Sequence, residues 1–301
     1  MDLVVGTALF GLNYGLSEKK NRVNDKTLRA LLDFCEENSI YCLDTSPGYG
    51  DAEDRIASYL RDKKDNSILP FRIITKTPSF GENDSYQKIY NSFRASAESF
   101  KEKLPENTRL DLLCHKPDGL IGANRNDVYS VLNKLRSEGL VDRIGISVYT
   151  MEQITGFEKD WVLDLVQLPI NIVDQRFERS LLVRDLRAKG TEIHARSIFL
   201  QGLLLKAVSE LPEYFLVGRR FDVLKRFEDF VQCQKVTKLF ACLNYALHAD
   251  YIDKIIVGVH SKSELENIVA IANLNDFQVA LRFEDFKYDL PDLVDPLNWK
   301  V

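Results

Sequence analysis

The chain has 301 residues, of which 45% are hydrophobic and 28% are charged, and its formal net charge is −5. This length fits one large domain or two modest ones, and the composition is that of an ordinary globular protein. The negative charge gives no attraction to nucleic acid or to an anionic membrane, and no apolar run approaches the roughly 20 residues that span a bilayer. We therefore expect no nucleic-acid partner and no membrane partner.

Short apolar runs alternate with amphipathic segments along the whole chain, starting with MDLVVGTALFG, which predicts a buried strand rather than a signal peptide. The runs predict β-strands at 3–7, 40–44, 71–76, 110–115, 141–147, 163–169, 192–198 and 254–259. The segments between them predict α-helices at 24–37, 52–60, 86–104, 126–138, 181–189, 221–249 and 262–272, with a shorter one at 151–157. Asn24 is a predicted N-cap, and Gly139 and Gly190 follow helix ends, where left-handed caps are common.

Eight strands that alternate with helices predict parallel pairing with right-handed crossovers. We therefore expect an α/β fold, a single (β/α)8 TIM barrel over residues 1–301. The alternative, an open doubly wound sheet, needs a G-x-G-x-x-G turn after its first strand, and GTALFGLNYG lacks that spacing. Residues 275–301 predict a C-terminal tail over one barrel end, and the long connection between the last two strands predicts a lid-like insertion around 204–220.

The five cysteines are Cys35, Cys42, Cys114, Cys233 and Cys242. Their number is odd, none forms a C-x-x-C pair, and most have apolar neighbours, which favours small buried side chains in a reducing compartment over a redox or zinc role. This pattern predicts a cytoplasmic protein. Because no cluster has the spacing of a metal site, we expect no metal.

Polar side chains stand at the carboxyl ends of three neighbouring predicted strands. Asp44, Lys76 and His115 end the second, third and fourth strands, and Tyr49 follows shortly after Asp44. The carboxyl ends of barrel strands form the active face of such folds, so these four residues should meet at one rim. An unpaired buried charge is expensive, so we expect Asp44 and Lys76 to pair.

Such a pair would give Tyr49 a catalytic role. A free phenol, with a pKa of about 10, is a weak acid at neutral pH, and a nearby ammonium lowers that pKa. We therefore expect Lys76 to make Tyr49 a better general acid, while His115 orients a carbonyl oxygen or shares the proton. Each residue alone is more often an ordinary polar group, but their positions at successive strand ends favour a site for reducing a C=O.

The segment LDTSPGYGDAE at 43–53 resembles the D-T-A-x-x-Y-G-x-[SA]-E signature of the aldo-keto reductase superfamily. Lys76 in IITK and His115 in LLCH stand where the catalytic lysine and histidine of that family stand, and GIS, VQLPIN and GVHS are similar to its later strand motifs. The resemblance implies an NADP-dependent oxidoreductase that reduces a small-molecule carbonyl substrate, with Asp44, Tyr49, Lys76 and His115 as its catalytic residues.

The same resemblance implies a set of cofactor contacts along the later strands. These are Ser147, Gln167, Arg196, Ser197, Gln201, Gly202, Gly258, Ser261, Lys262 and Glu264. Ser147 and Gln167 would bind the carboxamide, residues 196–202 would follow the cofactor toward its pyrophosphate, and the last three would flank the adenosine at a helix N-terminus. Lys262, placed to meet a 2′-phosphate, implies a preference for NADPH over NADH.

Two positions depart from the family pattern. Val148 follows Ser147 where many relatives carry asparagine, which removes one expected amide contact. Arg196 aligns with an aromatic residue that many relatives stack on the nicotinamide. An arginine plane can cover a ring, and it can also hold an anion of the substrate, so both roles stay open for Arg196.

Two other classes of protein compete with a reductase. The first is a regulatory subunit, a barrel that binds NADPH without turnover. The four polar residues at the strand ends favour an enzyme with turnover instead. A metal-dependent isomerase or a Schiff-base aldolase built on Lys76 is the second rival, but Schiff-base chemistry wants a lysine without a counter-ion, and Asp44 supplies one.

The loops expected at the barrel mouth predict the substrate class. Their polar residues are Asn13, Tyr14, Ser79, Lys116 and Asp118, with Arg196 as a further cation. A steroid or bulky aromatic aldehyde would need apolar walls instead. We therefore expect a polar or sugar-like carbonyl compound, with Phe10, Phe80 and Trp299 as one apolar wall.

Overall fold

The computed structural model describes residues 2–16, 22–63, 71–115, 124–155, 161–178, 180–274, 281–288 and 290–300. Eight parallel strands close into a barrel in chain order. They are β1 Asp2–Gly6, β2 Cys42–Asp44, β3 Arg72–Lys76, β4 Arg109–Cys114, β5 Arg143–Ser147, β6 Leu165–Pro169, β7 Glu192–Arg196 and β8 Lys254–Gly258. Strand β1 pairs with β8 from Asp2–Lys254 to Gly6–Gly258, and this pairing closes the barrel. The predicted (β/α)8 architecture is confirmed.

Helices connect the strands and surround the barrel. They are α1 Ala8–Gly11, α2 Asp25–Glu37, α3 Ala52–Asp62, α4 Tyr86–Lys101, α5 Arg125–Ser137, α6 Met151–Thr155, α7 Leu181–Ala188, α8 Gly218–Gln234, α9 Lys238–Leu247, α10 Lys262–Ala272 and α11 Pro291–Val294. The predicted cap is present, because the Asn24 side chain accepts a hydrogen bond from the backbone N–H of Thr27. Gly139 and Gly190 follow α5 and α7 with positive φ of 71° and 92°, as expected of left-handed caps.

One predicted helix is wrong in its extent. Residues 221–249 form two helices, α8 and α9, rather than one. Lys235 after α8 is left-handed, with φ of 55°, and the Thr237 side chain caps α9 by accepting from the N–H of Phe240. The hydroxyl of a threonine competes with the helical backbone at such a point, and a new helix starts there.

The inward-facing side chains form layers, because residues two apart on a strand face the same side. A middle layer is apolar and is made of Val4, Cys42, Ile74, Leu113, Leu165 and Ile256. Toward the amino ends of the strands lies an ion network in which Asp111 pairs with Arg72 and Arg143, and Glu192 pairs with Arg143 and Lys254. Two residues beyond the middle layer, the same periodicity brings Asp44, Lys76 and His115 to the carboxyl end.

The main hydrophobic core lies between the strands and the surrounding helices. Four of the five cysteines are buried there or inside the barrel, as predicted, whereas Cys233 on α8 is exposed. Burial raises the pKa of Cys35 and of Cys42 to about 12. These two thiols are therefore weakly reactive. None of the described helices is both long and apolar enough to cross a membrane.

The insertion after β7 and the described part of the tail pack together. The insertion contains short 3-10 turns at Leu200–Leu205, Val208–Glu210 and Glu213–Phe215. The tail residue Trp299 packs edge-on against Phe215 with ring centroids 5.0 Å apart, and the N–H of Tyr288 donates to the carbonyl oxygen of Val173 after β6, at 2.9 Å. Because both loops follow strand carboxyl ends, the tail lies at that end of the barrel.

Candidate active site

The carboxyl end of the barrel holds a buried ion pair between neighbouring strands. Lys76 at the end of β3 donates from Nζ to Oδ1 of Asp44 at the end of β2, and also to the Thr45 carbonyl oxygen at 3.2 Å. The side chains of Lys76 and Asp44 are only 2% and 8% exposed. Burial lowers the pKa of Lys76 and the Asp44 carboxylate opposes that shift. The expected pairing is present, and Asp44 also accepts a hydrogen bond from Nε2 of Gln167 on β6.

Tyr49 lies in a tight turn between β2 and α3. Its backbone N–H donates to the Ser46 carbonyl oxygen at 2.9 Å, and the N–H of Gly48 donates to Oγ of Ser46 at 3.1 Å. Gly11 at the end of α1 lies directly against this turn, since a Cβ there would be 1.8 Å from the Tyr49 carbonyl oxygen. Among the described residues, the Tyr49 hydroxyl has no hydrogen-bond partner, so it is available to a ligand.

The expected effect of Lys76 on Tyr49 is not what the structure gives. The pKa of Tyr49 is raised, first by burial and then by the Asp44 carboxylate, while Arg196 lowers it. Asp44, the counter-ion of Lys76, thus raises the pKa of the phenol, and the cation that lowers it is Arg196. The prediction of a lowered pKa for Tyr49 was wrong, because burial and the Asp44 carboxylate raise it.

His115 follows β4 and lines the same pocket. Its backbone N–H donates to Oγ1 of Thr77 at 3.2 Å. Burial and the nearby Lys76 ammonium lower the pKa of His115 to about 4. The imidazole is therefore neutral at physiological pH, so one ring nitrogen can donate a hydrogen bond and the other can accept one.

These residues line one cavity of about 480 Å³, a size within the usual range for small-molecule sites. The predicted site residues that line it are Asp44, Tyr49, Lys76, His115, Ser147, Gln167, Arg196, Ser197, Gln201, Gly202, Gly258 and Glu264. The cavity thus runs from the ends of β2 and β3 across to the start of α10. It brings together twelve of the fourteen side chains or backbone positions that the sequence predicted.

The loop after β7 has an unusual backbone where it lines the cavity. Ser197, Leu200 and Gln201 have positive φ of 62°, 47° and 54°, and Gly202 follows at 87°. Such left-handed conformations at residues other than glycine cost about 1–3 kcal/mol each and concentrate at functional sites. A Cβ at Gly202 or at Gly258 would have nothing within 4 Å, so both glycines leave backbone open to a ligand. This cradle of exposed backbone fits an elongated polar cofactor.

The start of α10 holds two predicted contacts outside the cavity lining. Ser261 and Lys262 are missing from the described residues that line it. Ser261 instead caps α10 by accepting from the N–H of Glu264. The Lys262 ammonium lies 5.3 Å from the centroid of the Phe34 ring and 3.9 Å from Glu37, on the side of α10 that faces α2. Since a helix residue covers only one face, Lys262 and the cavity-lining Glu264 point in different directions.

The substrate wall also differs from the sequence prediction. Tyr14 lines the cavity, but Phe10, Phe80 and Trp299 do not, because they pack into the core or against other rings. Lys116 and Asp118 lie outside the described residues, and Ser79 is not among those that line the cavity.

The lining residues that sequence reasoning missed include Tyr149 and Asn267, and also the charged residues Lys206 and Glu210 in the insertion after β7. Asn267 follows Glu264 by one helical turn, a spacing that would have placed both on one face of α10. Tyr149 is two residues after Ser147, beyond the end of β5, and it contacts Arg196, whose guanidinium carbon lies 4.1 Å from its ring centroid. No sequence signal specifies that contact, because it joins two different strand ends.

Comparisons with known proteins agree with this geometry. A sequence model described as "Aldo/keto reductase family" matches residues 2–281. The chain is similar to aldo-keto reductase YhdN of Bacillus subtilis (strain 168), with 28% identity over 85% of this chain and 72% of that protein. It is 24% identical to D-threo-aldose 1-dehydrogenase of Pseudomonas sp, over 86% of this chain and 88% of that protein. The solved structure of aldo-keto reductase AKR11C1 from Bacillus halodurans in its holo form shares the fold with a TM-score of 0.70 and 18% identity, over 95% of this chain and 89% of that one.

Proposed function

The chain belongs to the aldo/keto reductase family, a family of oxidoreductases, and from this premise we propose that it reduces an aldehyde or ketone to an alcohol with Tyr49 as general acid. One observation carries the proposal. Tyr49, Lys76, Asp44 and His115, from three neighbouring strand ends, line a single cavity, and no described residue forms a hydrogen bond with the Tyr49 hydroxyl. A nicotinamide dinucleotide supplies the hydride for such a reduction when it is bound.

Tyr49 donates the proton that the carbonyl oxygen requires. Its raised pKa keeps the phenol protonated at neutral pH, which a proton donor needs. An alkoxide is a stronger base than a phenolate, so transfer of this proton to the developing alkoxide is favourable. Arg196, which lowers the pKa of Tyr49, moves the phenol closer to the acidity that the step needs.

Asp44, Lys76 and His115 prepare the same oxygen site. Asp44 fixes the position of the ammonium, and the buried positive charge of Lys76 stabilises negative charge that develops beside it. His115 is neutral, since its pKa is about 4, and it donates an N–H hydrogen bond to the carbonyl oxygen without a competing proton transfer. Proton donation and carbonyl polarisation are thus divided between Tyr49 and His115.

We keep NADPH as the proposed cofactor, although it now requires Lys262 to leave its position on Phe34. The ion pairs of Lys262 with Glu37 and Glu266 span 3.9 Å at an exposed surface, and such pairs contribute less than about 1 kcal/mol each. The contact with the Phe34 ring adds about 0.5–1 kcal/mol. A charge-assisted contact with a 2′-phosphate is worth about 1.5–3 kcal/mol, which is of the same size as the sum of these contacts. Glu264, which lines the cavity, opposes a phosphate there.

Fluorescence titration of NADPH and NADH against wild type, Lys262→Met and Glu264→Gln decides the cofactor. The proposal requires tighter NADPH binding in wild type, by about tenfold or more, and a loss of that preference in Lys262→Met. Equal dissociation constants in wild type would overturn the preference without affecting the reductase assignment.

The proposed substrate is polar or sugar-like. Tyr14, Tyr149 and Arg196 line the cavity beside Tyr49, and these groups can bind hydroxyls or charges. The name of the Pseudomonas relative, D-threo-aldose 1-dehydrogenase, supports a sugar as one such substrate.

A panel of aldoses, keto-sugars, nucleotide-linked sugars and aromatic aldehydes tests the function and the substrate class together. The purified protein should oxidise NADPH or NADH in the presence of a hydroxylated carbonyl compound. If no carbonyl is reduced with either cofactor, the reductase proposal fails. If kcat/KM is highest for apolar aldehydes and no hydroxylated substrate reaches about a tenth of it, only the substrate class fails.

A further inference from the structure

Arg196 is a cation at the active site without a carboxylate partner among the described residues. Its Nη2 donates to the Val148 carbonyl oxygen at 2.8 Å and its Nη1 to Oγ of Ser197 at 3.2 Å. Its guanidinium stacks on the ring of Tyr149, and its buried Nε has no hydrogen-bond partner. All of these contacts are with neutral groups.

Two other arginines inside the barrel, unlike Arg196, form ion pairs with carboxylates. Arg72 and Arg143 in the network at the amino ends of the strands pair with the carboxylates of Asp111 and Glu192, at 2.6–2.9 Å. A half-buried guanidinium without such a partner carries a desolvation cost that its neutral contacts do not offset. At Arg196 the compensating anion is therefore missing from the described part of the chain.

The charge balance of the inner cavity supports the same point. Asp44 and Lys76 neutralise each other, and His115 is neutral at physiological pH. Arg196 forms no ion pair with a described residue, and its field reaches across the site, since it partly offsets the rise in the pKa of both Tyr14 and Tyr49. Lys206 is a second cation in the cavity lining, and Glu210 and Glu264 are its further acids.

The acids that also line the cavity are engaged elsewhere. The Glu264 carboxylate accepts from the backbone N–H of His260 at 2.8 Å, and that of Glu210 accepts from the N–H of Ala207 at 3.1 Å. Neither forms an ion pair with Arg196. The described residues of the cavity lining therefore do not supply the anion.

The guanidinium is also preorganised for an anion. Two hydrogen bonds and the Tyr149 ring fix its plane, so little side-chain entropy is lost on binding. Of its five N–H groups, two donate to described residues. A planar guanidinium fork matches the oxygen pairs of carboxylate and phosphate. The other role that the sequence leaves open, covering the nicotinamide, would place this charge against a ring that becomes positive on oxidation.

We propose that Arg196 is an anion subsite for the substrate, so that the preferred carbonyl compounds carry a carboxylate or phosphate group that contacts the guanidinium while Tyr49 protonates the carbonyl oxygen. This inference rests on the proposed carbonyl reduction and narrows its substrate class to polar compounds with a negative charge.

Matched substrate pairs test the proposal. The pairs are 4-oxobutanoate against its methyl ester, and glyceraldehyde 3-phosphate against glyceraldehyde, which separate a carboxylate from a phosphate. Wild type should show a kcat/KM for at least one anionic member about ten- to a hundredfold above its neutral partner, and Arg196→Met should bring that ratio near one. Arg219→Met is the matched control, because Arg219 stacks on Tyr288 away from the cavity, and it should keep the wild-type ratio. A wild type without preference for either anion overturns the subsite.

Equilibrium binding separates this inference from the proposed function. Calorimetry with succinate and with neutral succinamide, on wild type and Arg196→Met, measures the affinity of the subsite for an anion without turnover. Succinate should bind wild type at least about tenfold more tightly than the variant, while succinamide should not distinguish them. Loss of NADPH affinity in Arg196→Met as large as the loss of succinate affinity would assign Arg196 to the cofactor and overturn the subsite. Succinate binding that depends on Arg196 without reduction of any carbonyl would support the subsite and sink the reductase proposal.

Discussion

Replacing Gly11, which does not itself line the cavity, with alanine should disable Tyr49. A Cβ at position 11 would lie 1.8 Å from the Tyr49 carbonyl oxygen and 2.8 Å from the backbone nitrogen of Ala52. Ordinary contact begins near 3.4 Å, so the oxygen would have to retreat by about 1.6 Å. A misplacement of about 1 Å in an active site can cost about a hundredfold in rate. We therefore expect kcat to fall by about a hundredfold or more.

Cofactor binding should change less than rate, and stability should fall as well. Overpacking costs about 1–3 kcal/mol where side chains can give way; here the atoms met are backbone, so we expect a loss at or above the upper end of that range and an unfolding temperature lower by several degrees or more. Steady-state kinetics with a turned-over carbonyl, a fluorescence titration with NADPH and a thermal melt by circular dichroism measure the three quantities.

Gly48→Ala is the matched control in the same turn. A Cβ at Gly48 has Oγ of Ser46 at 3.4 Å as its nearest neighbour, an ordinary contact, so this variant should keep its rate within about threefold. A folded Gly11→Ala protein with a kcat within that same range would refute the view that the contact between α1 and the turn positions Tyr49.

Three further outcomes follow from the buried groups. Lys76→Met should lose nearly all turnover. It should also lose about 3–5 kcal/mol of unfolding free energy, because it leaves the Asp44 carboxylate buried and unpaired. The double variant Lys76→Met with Asp44→Asn should regain stability in denaturant melts but should stay inactive. The pKa of His115 is lowered from 6.5 to about 4, so its contribution to stability is fully present above pH 6.5 and is lost as the pH falls toward 4. Between pH 6.5 and 4, the unfolding temperature of His115→Gln should therefore depend less on pH than that of wild type. In a thiol titration of the native protein only Cys233 should react rapidly, and fast reaction of a second thiol would contradict the burial of the others.

Much of the fold and of the inner site can be predicted from the sequence. The eight strands have a clear apolar pattern, and the period of two along each strand explains why Asp44, Lys76 and His115 point inward together. Local chemistry also marks the cap at Asn24 and the glycines after α5 and α7. These features are visible because each depends on residues close together in sequence.

The features that sequence reasoning missed depend on contacts between distant segments. The break after α8 needs a left-handed Lys235, and no glycine marks it. The direction of Lys262 depends on Phe34 and Glu37 of another helix. The sign of the pKa shift of Tyr49 depends on how deeply the turn is buried and on its distance from Asp44 relative to Lys76, which only the folded chain determines. Residue types at strand ends therefore predict which groups meet. They do not predict the pKa shifts of those groups, which depend on burial and on the neighbouring charges.

The central claim is that Tyr49 supplies the proton for carbonyl reduction, and Tyr49→Phe tests it most directly. The ring stays and only the hydroxyl goes, so NADPH should bind with a dissociation constant near that of wild type while kcat falls by about a hundredfold or more. The measurement is kcat with the best carbonyl substrate, beside the NADPH titration on the same preparation. A Tyr49→Phe protein that keeps most of the wild-type kcat would contradict the assignment of Tyr49 as general acid.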